Sequence, residues 1–126
     1  MAANNSTSES TTNSNVTSAS DHPGLALVSQ LLTSENYSTW SRSIIMALTA
    51  KNKLGFIDGT IKRVVDPSDT SYLPWKRCNT MVFSWLLNSV SKEIAGSIIY
   101  AESVHDIWED LKEEFGKIGE RYERMR

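Results

Sequence analysis

The sequence predicts a small all-α domain: a bundle of about four helices behind a disordered N-terminal tail, with one short strand or extended arm near residues 25–32. Three observations predict it. Apolar residues recur at spacings of three and four along the long segments of the body. The links between these segments are short and carry few strand signals. Fourteen of the first twenty residues are Ser, Thr or Asn. Such a stretch cannot bury enough surface to offset its ordering entropy.

The tail is set at residues 1–21. It has no basic start and no apolar centre, so it does not read as a secretory signal. It contains no Arg or Lys, which disfavours a mitochondrial transit peptide. Three Asn-x-Ser/Thr triplets occur there and read as chance matches in a biased composition. The expected location is cytoplasmic, with the nucleus as the alternative.

The body is set at residues 22–116, opening at His22-Pro23-Gly24. Leu25 to Leu32 is apolar, and its length does not separate strand from helix. A first helix is predicted over Tyr37 to Lys51, capped by Ser34 or Asn36. Tyr37, Trp40, Ile44 and Leu48 share one face. Asn52 to Gly55 ends it. Phe56-Ile57-Asp58-Gly59 reads as an apolar anchor followed by a turn, and Thr60 to Ser71 as a loop. A second helix runs from Tyr72 to Asn88, with Ser71 as cap and Pro74 in the first turn. Its stripe is Trp75, Cys78, Val82, Trp85 and Leu86. Met81, Phe83 and Leu87 widen that stripe and predict a central position. Ser91 starts a third, shorter helix. Ser103 starts the fourth, with the stripe Val104, Ile107, Trp108, Leu111 and Phe115. Gly116 is its predicted C-cap, with Lys112 placed in its last turn. Residues 117–126 read as an incomplete C-terminal stub.

Composition narrows the function. The chain has 126 residues, a formal net charge of -2 and one cysteine. That length suits one domain. A single cysteine leaves no disulfide framework and no multi-cysteine zinc site. The longest apolar run, Ile44 to Leu48, falls far short of the ~20 residues of a membrane span. No Gly-x-Ser-x-Gly elbow and no phosphate-binding glycine loop is present. Asp58-Gly59-Thr60 and Asp69-Thr70-Ser71 lack the Asp-Ser/Thr-Gly order of an aspartic protease and read as turns. His22 and His105 stand alone, without a second ligand at metal spacing. Cys78 lies on an apolar stripe and reads as a buried thiol. These residues predict no enzyme and no cofactor.

Charge is uneven. Arg42 to Lys92 holds eight basic and three acidic residues, and Glu93 to Glu114 holds seven acidic and one basic residue. The bland reading is two solvated helix faces. The sharper one is head-to-tail packing of identical subunits. Lys51, Lys53, Lys62, Arg63, Lys76 and Arg77 make a weak candidate RNA-binding patch without interleaved aromatics. Trp40, Trp75, Trp85 and Trp108 read as a shared core; the alternative is that Trp75 faces a partner subunit.

His22-Pro23-Gly24, Leu31 through Trp40, Ala47 through Ile61, then Trp75, Asn79, Trp85 and Leu86, Ser91 to Tyr100, and Ala101 to Phe115 run collinearly with a known pattern. The blocks Asn-Tyr-x-x-Trp, Gly-Phe-Ile-Asp-Gly and Ile-Trp-x-x-Leu are its most specific parts. On these residues the body resembles the N-terminal region of the Gag polyprotein of plant copia-type long-terminal-repeat retrotransposons. The resemblance singles out Asn36, Tyr37, Trp40, Gly55, Phe56, Asp58, Gly59, Trp75, Trp85, Ile107, Trp108, Leu111 and Phe115 as motif and core positions. It implies a helical capsid-like domain that assembles into a particle shell around the element's RNA and catalyses nothing. The expected partners are further copies of the chain or full-length Gag. The alternatives are RNA binding through the basic 42–92 region, or an inert or interfering partner of intact Gag.

Two departures stand out. Val64-Val65 precedes Asp66-Pro67 where relatives carry Pro. The second helical half and the zinc knuckle of relatives do not follow Phe115. The expectation is a truncated remnant or a fragment of a longer reading frame.

Overall fold

The structure, a computed structural model, describes residues 21–124. Residues 1–20 of the tail assigned to 1–21 lie outside the described residues. Among the described residues five helices follow in order: α1 (Tyr37–Ala50), α2 (Gly55–Asp58), α3 (Tyr72–Leu87), α4 (Lys92–Ile98) and α5 (Val104–Arg124).

In α1, Trp40, Ile44 and Leu48 are buried, one on each successive turn. The helix closes in a Schellman motif. Asn52 adopts φ 57°; its N–H donates to the Thr49 carbonyl at 3.1 Å, and the Lys53 N–H donates to the Leu48 carbonyl at 2.8 Å. Asn tolerates this left-handed position better than most side chains. The predicted cap does not form. The Asn36 carboxamide instead accepts from the Thr33 N–H at 2.8 Å and donates to the Leu31 carbonyl at 2.9 Å. It closes the preceding turn, so both its groups are already engaged.

The segment read as an anchor and turn is a one-turn helix, α2. Phe56 and Ile57 enter the core from it, and Gly59 stops it at φ 83°. In α3, Trp75, Cys78, Asn79, Val82, Trp85 and Leu86 are buried. Ser71 does not cap α3: its hydroxyl and its N–H both donate to Asp69 Oδ1, at 2.7 and 2.8 Å. Ser91 does cap α4, accepting from the Ile94 N–H at 3.4 Å.

Val104, Ile107, Trp108, Leu111 and Phe115 of α5 are all buried. This helix meets α1, α2 and α3, so it, rather than α3, is the shared packing element. Gly116 is not a C-cap. The helix continues through it to Arg124, and the backbone of 117–124 is helix rather than the start of a separate stub. One glycine costs a helix about 1 kcal/mol. The good helix formers Lys117, Glu120 and Arg121 favour continuation on both propensity and length. Lys112 consequently lies mid-helix.

The segment near 25–32 is an extended arm. Only Leu32 pairs, in a single parallel bridge to Val90. Leu32 is fully buried. Its N–H donates to the Ser89 carbonyl at 3.0 Å, and its carbonyl accepts from the Ser91 N–H at 3.1 Å. Asp21, placed with the tail by the sequence reading, belongs to the folded body. Its carboxylate meets Lys51 Nζ at 2.8 Å and its side chain is 5% exposed.

Candidate assembly interface

Turns at the end of α2 and along the α2–α3 loop set the backbone that leads to the exposed face. Asp58, Asp66 and Asp69 each sit two residues before a Ser or Thr. In every case one carboxylate oxygen accepts from both the N–H and the hydroxyl of that residue, at 2.7–2.9 Å. These are Asx turns. The paired donors hold the Asp66 and Asp69 carboxyls below their usual range. The two triplets singled out in the sequence, and Asp66-Pro67-Ser68 beside them, are turn chemistry that sets the path of the loop.

Two buried polar groups then fix the helices beneath. Asn79 Oδ1 accepts from the Val104 N–H at 3.1 Å, satisfying one orphan donor at the start of α5. Ser103 Oγ accepts from the Asp106 N–H at 3.2 Å. His105 Nδ1–H donates to the Ile57 carbonyl at 2.8 Å, pinning α2 to α5. Gly59 lies directly under that imidazole: a Cβ there would meet His105 Cε1 at 3.1 Å.

Over this base lies a groove of about 480 Å³. Val64, Tyr72, Trp75, Phe83 and Ile99 give it an apolar lining, and Arg63, Lys76 and Glu102 add charge. A smaller hollow of about 250 Å³ adjoins it and shares Arg63, Trp75 and Asn79. Val65 and Ile99, which line the groove, are 73% and 51% exposed, and Tyr100, next to Ile99 in the chain, is 90% exposed. Large apolar side chains clustered at the surface mark interaction sites more often than isolated ones do. Arg63 and Glu102 form an exposed ion pair at 2.9 Å. The Lys76 ammonium stands 5.6 Å from the Tyr72 ring centroid.

The basic patch read from the sequence does not hold together as one surface. Lys53 is 2% exposed, and burial pushes its ammonium below the usual lysine value. Lys51 is spent on Asp21 and on the Trp85 ring, 5.3 Å from its centroid. Arg63 is paired with Glu102. Lys62, Lys76 and Arg77 remain exposed. The cause is tertiary: the charges are close in sequence, but Lys53 is buried just past the end of α1 and Lys51 turns back to Asp21.

The residues singled out by the resemblance distribute between core and turn positions. Trp40, Phe56, Trp75, Trp85, Ile107, Trp108, Leu111 and Phe115 are buried. Trp40 Nε1–H donates to the Ser89 carbonyl, and Trp85 Nε1–H to the His22 carbonyl, each at 2.7 Å. Trp40 stacks on Trp108, with centroids 5.8 Å apart. Tyr37 leans on Trp40 at 6.2 Å; burial, then the charge of Glu109, raises its phenol above the ordinary value. A Cβ at Gly55 would lie 2.6 Å from the Ile61 side chain, which would have to shift. Asn36, Asp58 and Gly59 shape turns. Trp75 is 7% exposed, yet it floors the groove. The sequence reading missed Asp21, Ser89 and His105 as tertiary anchors. Among the described residues no cluster of His, Cys, Asp and Glu could hold a metal, and no helix is long and apolar enough to cross a membrane. Cys78 is buried, and burial pushes its thiol above the usual value.

Residues 18–63 match the family described as Gag-polypeptide of LTR copia-type. The Retrovirus-related Pol polyprotein from transposon RE1 of Arabidopsis thaliana is 30% identical over 89 residues, covering 64% of this chain. The corresponding polyprotein from transposon RE2 is 27% identical over 89 residues, with the same share of this chain covered. The chain spans about 6% of the length of these curated relatives. No solved structure matches it. The matched segment holds the extended arm, the Asn-Tyr-x-x-Trp helix and the Gly-Phe-Ile-Asp-Gly turn, and over it the chain is similar to the Gag polypeptides of copia-type LTR retrotransposons.

Proposed function

We propose that the chain is a non-enzymatic Gag structural module that self-associates as part of a particle shell around the element's RNA, in the cytoplasm. The observation that carries this reading is the apolar groove beside α3 with Val65, Ile99 and Tyr100 left exposed. An apolar face of this kind gains free energy when a protein surface covers it. The charge distribution supports it. Asp106, Asp110 and Glu113 are exposed at successive turns of α5, while Lys62, Lys76 and Arg77 are exposed on the opposite-signed part of the chain. Complementary charge steers copies together and selects their orientation. The partners are other copies of this chain or longer Gag chains.

The test is mass by light scattering after size exclusion, across protein concentrations. Mass rising well above 14.1 kDa with concentration is the expected result. A constant 14.1 kDa at every concentration overturns self-association by this chain.

A further inference from the structure

This inference rests on the self-association proposed above and gives it a geometry. We propose that the α3 groove pairs with the same groove of a second copy across a two-fold axis. In that dimer Arg63 of each chain exchanges its own Glu102 for the Glu102 of the other copy.

The groove has a mixed character that narrows its occupant. Its floor is apolar, through Trp75, Tyr72 and Phe83, and its exposed edges are Val65 and Ile99. Arg63 and Lys76 line it together with Glu102. An acidic partner would meet Glu102, and a basic one would meet Arg63 and Lys76. A second copy of this surface presents an apolar centre and both signs of charge. A two-fold interface is self-complementary by construction: if residue i faces residue j, then j faces i. A site that carries an apolar centre with an Arg and a Glu at its margin meets that requirement without further residues.

The Arg63–Glu102 pair is suited to exchange. It is 2.9 Å long, and its side chains are 45% and 72% exposed. An exposed pair of this kind contributes little to the fold of a single chain. Its partners can therefore be replaced at little cost. Covered by a second subunit, the same charges sit in a drier setting, where pairing fixes register more strongly. Tyr100, 90% exposed next to Ile99, is the natural anchor. Aromatic side chains of this type dominate interface energetics.

The experiment uses the full chain and two singly reversed variants, Arg63→Glu and Glu102→Arg. Each variant puts like charges within its own chain and across its own homodimer. Mixed together, they restore both pairs between subunits and neither pair within a subunit. Native mass spectrometry and sedimentation of each variant alone, then of the mixture, separate the outcomes. The expected result is a wild-type dimer near twice 14.1 kDa, at least tenfold weaker homodimers of each variant, and recovery of a mixed dimer. Tyr100→Glu weakens the wild-type dimer without changing helical circular dichroism. Association of wild type with no recovery in the mixture overturns the exchanged pair. Association unaffected by Tyr100→Glu overturns this groove as the interface and leaves self-association standing. A wild-type chain that stays monomeric overturns both.

Discussion

The indole of Trp40 lies against that of Trp108, with ring centroids 5.8 Å apart and planes 28° from parallel, so α1 and α5 meet through two aromatic faces. Trp40 also donates to the Ser89 carbonyl at 2.7 Å, which ties the same ring to the α3–α4 link. Truncating Trp108 to Ala should therefore cost about 3–5 kcal/mol of stability, the range for deleting a buried aromatic. Trp40→Phe should cost less, about 1 kcal/mol, because the Ser89 carbonyl keeps the Leu32 N–H as a second donor. Urea denaturation of the two variants checks the order; equal losses would refute the stacking account.

Asn79 carries the contact between α3 and the start of α5. Asn79→Ala leaves the Val104 N–H without its side-chain acceptor inside the fold. The expected loss is about 1–2 kcal/mol, within the range for removing a helix cap. Amide exchange at Val104 should accelerate more than exchange in the middle of α3. A uniform change across the chain would instead indicate global destabilisation only.

Gly55 and Gly59 bracket α2 and fail differently when substituted. Gly55→Ala places a Cβ 2.6 Å from the Ile61 side chain, which must move. Gly59→Ala forces a side chain onto φ 83° and within 3.1 Å of the His105 ring. The left-handed backbone alone costs about 1–2 kcal/mol. Gly59→Asn should recover part of that loss through the milder left-handed penalty of Asn, although it still crowds His105. Gly59→Asn no more stable than Gly59→Ala in thermal melts would place the cost in the His105 contact alone.

Alkaline stability follows from three shifted groups. Burial raises Cys78 above 9.0 and Tyr37 above 10.0, and it lowers Lys53 below 10.5. The raised groups hold their protons more tightly when folded. Their stabilisation is complete below 9.0 and 10.0 respectively and is lost as pH climbs through the folded values. Lys53 acts in the opposite direction: its buried charge opposes folding below its folded value, and that opposition is relieved as pH rises toward 10.5. Cys78→Ala removes only the loss that begins at 9.0. The variant's urea midpoint should thus fall less steeply than wild type's above pH 9. Parallel curves from pH 7 to 10.5 would show that Cys78 does not titrate differently in the folded state.

Much of the fold is legible in the order of residues, because helix periodicity is local. Trp40, Ile44 and Leu48 announce the buried face of α1, and Val104 to Phe115 that of α5, from spacing alone. The motif blocks carried the family resemblance as well, since they are strings of neighbouring residues. Caps were legible only where no competing acceptor lay nearby. Ser91 has none and caps α4, whereas Ser71 is taken by Asp69 two residues before it.

What the sequence by itself determined is an all-α chain with four long or medium apolar stripes, no motif of catalysis, and a resemblance to copia-type Gag polypeptides. What only the tertiary structure decided is the fate of individual polar groups. Lys53 and Asp21 read as surface and tail, yet the arm folds back over the end of α1 and encloses them. Gly116 read as a stop, yet α5 runs on because one unfavourable residue is outweighed by good helix formers on its far side. The groove belongs to this second class: its walls come from the α2–α3 loop, from α3 and from the α4–α5 link, segments far apart in the chain. Local spacing records which face of a helix is apolar, but burial and pairing depend on which distant segment arrives to cover it.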